Sequence, residues 1–76
     1  MGKIKDGFLQ DPKSLEYKGK LYHLEDILTH IESKNKFQIK EIQAKGLVVI
    51  VTDSIQTNLI GVRAYISLAN LDEYKL

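Results

Sequence analysis

Cysteine and tryptophan are absent from this chain, and proline, arginine and methionine each occur once. Without cysteine there is no disulfide and no thiolate zinc site, the two usual reinforcements of a small domain. Self-association is the reinforcement that remains. No stretch approaches the roughly 20 apolar residues that a membrane-spanning helix needs. After Met1, Lys3 and Lys5, the residues Gln10, Asp11, Pro12 and Lys13 interrupt before any apolar signal core could form. The cytoplasm is therefore the expected compartment. A net charge of +1 gives no chain-wide case for nucleic acid or for an anionic membrane. No nucleophile elbow, phosphate-binding glycine loop, dinucleotide fingerprint or zinc spacing occurs, so catalysis has no anchor and no metal, cofactor or small-molecule substrate is expected.

What is present is ordinary for a folded protein: 43% hydrophobic and 28% charged residues over 76 positions, the length of one domain spanning 1–76. Ten lysines stand against Arg63 alone, beside nine isoleucines. That bias follows AT-rich codons and points to a low-GC bacterium or one of its phages.

The breaker cluster Gln10-Asp11-Pro12-Lys13-Ser14 sets off an N-terminal arm, 1–13, expected to be partly disordered. Within it Ile4, Phe8 and Leu9 could form an edge strand interrupted by Gly7. Leu15-Glu16-Tyr17 and Leu21-Tyr22 flank Lys18-Gly19, a hairpin signal. From Leu24 the period changes: Leu24, Ile27, Leu28 and Ile31 stand at i, i+3, i+4 and i+7, which predicts an amphipathic helix over about 24–34. Glu25 and Asp26 in its first turn and Lys34 and Lys36 at its end suit the helix dipole.

Strand patterns follow. Phe37 and Ile39 alternate with polar residues, and Ile42 and Ala44 resume in the opposite phase, which predicts a bulge near Lys40-Glu41. Leu47 to Thr52 is a β-branched run fit for a central strand, and Leu59 to Leu68 alternates as a long third strand. Asn70 to Leu76 predicts one helical turn packing Leu71 and Tyr74 onto the sheet. The expected architecture is α+β: a hairpin, one helix packed on an antiparallel sheet, a three-strand meander and a C-terminal helical turn.

The central strand poses the functional question. Leu47, Val49 and Val51 point to one face and Val48 and Ile50 to the other, so both faces call for cover. The arm and hairpin, the tail, or a second protein could supply it. A protein partner, most simply a second copy, would meet Tyr17, Tyr22, Leu59, Arg63 and Tyr65. The leading expectation is a non-enzymatic interaction module acting on a partner protein or itself. The alternative is a nucleic-acid accessory protein gripping phosphates with Lys18, Lys20, Lys36 and Lys40, although Glu16, Glu25, Asp26, Glu32 and Glu41 are interleaved with them. Asp26 and His30 at i, i+4 would share a helix face as an exposed pair, and His23, two helical turns before His30, is too far away to share a metal with it.

Overall fold

The computed structural model describes residues 8–11 and 14–76. It contains two antiparallel sheets and no α-helix among these residues. The first sheet has three strands in order, β1 (Phe8–Asp11), β2 (Ser14–Tyr17) and β3 (Lys20–His23). β2 and β3 form the expected hairpin, closed by Lys18 and Gly19, both in the left-handed region at φ 52° and 79°. Two successive positive φ values give the turn a twist that matches the strands it joins. β1 pairs with β2, so part of the N-terminal arm belongs to the sheet; Ile4 and Gly7 lie outside the described residues.

The second sheet contains β4 (Ile27–His30), β5 (Lys36–Gln43), β6 (Gly46–Asp53), β7 (Arg63–Ser67) and β8 (Tyr74–Lys75), arranged β7-β6-β5-β4-β8. The helix expected over 24–34 is thus replaced by a turn at Leu24–Glu25, strand β4 and a second turn from Ile31. The α+β architecture is corrected to all-β. The segment carries a strand signal as well: β-branched Ile27, Thr29 and Ile31 recur at period two. Hydrogen bonding to β5 on one side and β8 on the other decides between the two readings. Leu28 is fully buried while Ile27 and Ile31 are 40% and 47% exposed, the alternation of a strand. Glu25, at φ 73°, breaks any helix at its first turn.

The bulge lies where the phase change placed it. Ile39 pairs with Val49 and Glu41 with Val48, leaving Lys40 unmatched, so Ile39 and Ile42 both face inward. The third strand is shorter than its alternation suggests, because Thr57–Leu59 forms a 3-10 turn and Gly61, at φ 91°, bends the chain before Arg63. The tail is a 3-10 segment, Leu68–Glu73, followed by β8, which pairs with β4.

One core joins the two sheets. Leu15 and Tyr22 from the hairpin, Leu28 from β4, Ile39 and Ile42 from β5, Leu47 and Val49 from β6, Ile66 from β7, and Leu68 and Leu71 from the tail form a single buried cluster. The hairpin and the 3-10 tail therefore cover the inner face of the five-stranded sheet. No described residue of its outer face belongs to that cluster.

Candidate interaction surface

Cross-strand register defines the outer face as two rows. Ile27, Gln38, Ile50 and Arg63 align across β4, β5, β6 and β7; Glu41, Val48 and Tyr65 align one step further along. Val48 and Ile50 are half-buried and Tyr65 is half exposed. None of the three belongs to the core cluster that the hairpin and tail complete. The Tyr65 ring leans back across β6 over Gly46: a β-carbon on Gly46 would lie 2.5 Å from the phenol oxygen and equally close to the Ile66 carbonyl oxygen. The glycine is the seat of the ring.

β7 is also an edge. It pairs with β6 alone among the described strands. Val51 N–H donates to the Val62 carbonyl and Leu68 N–H to the Lys45 carbonyl, so the hydrogen-bonded alternation aims residues 62, 64, 66 and 68 at β6. The backbone groups of Arg63, Tyr65 and Ser67 consequently turn outward. Between Arg63 and Ser67 there is no proline, lysine or register shift of the kind that guards natural edges.

Of the five residues expected at a partner surface, only Arg63 and Tyr65 come together. Tyr22 is 3% exposed and belongs to the core, because its register opposite Leu15 turns it inward. Burial, with the nearby Asp72 carboxylate second, raises the Tyr22 phenol above its usual pKa. Tyr17 packs against the same core, and Leu59 sits half-buried in the 3-10 turn beyond the end of β7. Ile27 belongs to the outer row yet is invisible there while the segment is read as a helix. Exposed aliphatics also crowd the β6–β7 connection, where Ile55 is 93% exposed, followed by Ile60 and Val62, in a run from Ser54 to Val62 that carries no charge.

The four lysines of the nucleic-acid reading are dispersed. Lys18, at the hairpin turn, pairs with Asp72 at 3.1 Å, a contact that raises its pKa, and Lys40 lies 3.4 Å from Glu25. Lys20 stands on β3 in the other sheet, and Lys36 faces Asp53 in register at the start of β5. Two of the four already have carboxylate partners.

Asp26 and His30 are not paired, since no helix brings them together. Asp26 instead accepts from the His23 backbone N–H at 2.9 Å and lies 3.4 Å from the His23 ring. The His30 Nδ1 accepts from the Ser33 N–H at 3.1 Å, its Nε2 lies 3.5 Å from Glu73, and its ring meets Tyr74 edge-on at 4.9 Å. No group of three or more metal-ligating side chains forms among the described residues. A cleft of about 270 Å³ is lined by Ser33, Lys34, Asn35, Asp53, Ser54 and Ile55. Its two serine hydroxyls already accept from the Asn35 and Gln56 backbones, which makes them turn-forming groups. Among the described residues no helix is long and apolar enough to cross a membrane. Comparisons with protein-family models, curated proteins and solved structures find no match.

Proposed function

We propose that this chain is a small, non-enzymatic protein-interaction module that receives a partner protein on the outer face and open edge of its five-stranded sheet. The observation that carries this reading is the coincidence of two unfilled capacities on β7. Among the described residues its outward backbone groups have no strand to bond, and the side chains beside them, Arg63 and Tyr65, border the apolar Val48 and Ile50. An added strand would meet the first need and its side chains the second, the recognition mode of sheet augmentation. Arg and Tyr are also the residue types that contribute most at protein interfaces. The cysteine-free composition suits a reducing cytoplasm, which we take as the place of action. A nucleic-acid role has less support, because Lys18 and Lys40 are engaged by Asp72 and Glu25.

Photo-crosslinking tests the reading. A benzophenone amino acid placed at Arg63 in the native host should capture protein, whereas the same group at Lys20, exposed on the other sheet, should capture far less. Equal yields from the two positions would remove the β7 surface from consideration.

A further inference from the structure

We infer that the strand received by β7 is β7 of a second copy, joined antiparallel about a two-fold axis through Tyr65, so that two five-stranded sheets become one of ten strands. The inference rests on the interaction reading above and names its partner. Its ground is the register that β7 permits with itself. Arg63, Tyr65 and Ser67 present outward backbone groups, and antiparallel hydrogen-bonded pairing joins only residues of that class. An axis at Arg63 would set two guanidinium groups directly opposite each other. An axis at Ser67 would drive the partner strand into the 3-10 segment that starts at Leu68. Axes at Ala64 or Ile66, which run through non-hydrogen-bonded pairs, would join only two of the three outward residues, whereas an axis at Tyr65, the middle of β7, joins all three: each Arg63 faces the other copy's Ser67, and the tyrosines face each other.

Side chains favour the same register. Each Arg63 becomes the diagonal neighbour of the opposite Tyr65, within reach of its ring face. The Tyr65 ring, seated over Gly46, lies back on its own sheet and leaves the edge clear for backbone contact. The outer strip of Ile50, Val48 and Tyr65 then continues into its symmetry mate, giving one apolar face across the junction. A closed two-fold contact of this kind uses up the β7 edge of each copy, so the same contact cannot repeat into a filament.

Sedimentation equilibrium of the full chain, from micromolar to several hundred micromolar, should show reversible doubling of mass. Over the same range, amide exchange at Arg63, Tyr65 and Ser67 should slow with concentration, a readout that needs no variant. Ser67→Arg, which places like charges opposite each other twice by symmetry, should weaken dimerisation about tenfold. Adding Arg63→Glu to Ser67→Arg should restore it. A chain that stays monomeric throughout, or a dimer in which those three amides exchange as fast as in dilute solution, would overturn the pairing. If the chain is monomeric and a crosslinker at Arg63 still captures a different protein, self-pairing fails while the interaction reading stands; if it captures nothing, both fail.

Discussion

Leu28 and Ile27 separate two accounts of the same segment. On a helix both would share the buried stripe, and truncating either would cost about the same. In β4 they face opposite ways, Leu28 into the core and Ile27 onto the outer face. Leu28→Ala should therefore lower stability by about 2–5 kcal/mol and Ile27→Ala by less than about 1 kcal/mol, measured by urea denaturation. Equal losses would count against the strand. Gly46 allows a similar contrast. A methyl group there would meet both the Tyr65 ring and the Ile66 carbonyl, and the carbonyl cannot move without disturbing the β6–β7 ladder. Gly46→Ala should cost about 1–3 kcal/mol, and Gly46→Ala combined with Tyr65→Ala should recover only the part due to the ring. Titration of the Tyr22 and Tyr74 phenols gives a third expectation. Burial raises the pKa of Tyr22 and Tyr74 in the folded state above the usual tyrosine value of 10.0. A raised folded pKa means that their contribution is complete below about pH 10 and is lost as pH rises past it towards the folded value. The urea midpoint should be level from neutral to about pH 9 and fall beyond about pH 10, with a shallower fall in Tyr22→Phe.

Individual elements differed in how far local pattern could reveal them. The hairpin was legible because Lys18-Gly19 sits between apolar alternations. β5, its bulge and β6 were legible because the phase of Ile39 and Ile42 and the β-branched run from Leu47 admit few other structures. β4 was not, because pairing decides it, with β5 next along the chain and β8 at its far end. Four apolar residues with helical spacing and three β-branched residues with strand spacing occupy the same stretch, and only pairing with Phe37 on one side and Tyr74 on the other decides between them. The candidate surface was half legible for the same reason. Arg63 and Tyr65 follow from the alternation of β7, whereas the inward turn of Tyr22 depends on which face of the hairpin meets the second sheet. β8 shows how much a two-residue element can contribute. It caps the edge of β4, and Tyr74 sets its ring edge-on against His30 and Phe37, at 4.9 and 5.5 Å. Tyr74→Ala should cost about 1–3 kcal/mol through lost packing and ring contacts. Amide exchange in β4 should accelerate before that in β6, because β4 alone loses its neighbour.

At the scale of the molecule, the question is whether two sheets make two folding units. The core answers it: Leu15 and Tyr22 belong to the same buried cluster as Leu28, Val49 and Ile66, and no second buried cluster forms among the described residues. An isolated sheet of this size is marginal in water. The five-stranded sheet without the hairpin would lose Leu15 and Tyr22 from the cluster that buries Ile39, Leu47 and Val49. Each sheet is therefore a condition for the other, and unfolding should be a single cooperative transition. Leu15→Ala tests this from the smaller sheet. It should lower global stability by about 2–5 kcal/mol and accelerate amide exchange of Val49, in the middle of β6, by the same factor as that of Tyr22. A variant in which the hairpin exchanges freely while β6 keeps its protection would mean that the five-stranded sheet stands alone. The hairpin would then be a detachable cover, and the inner face beneath it a second apolar surface in need of explanation.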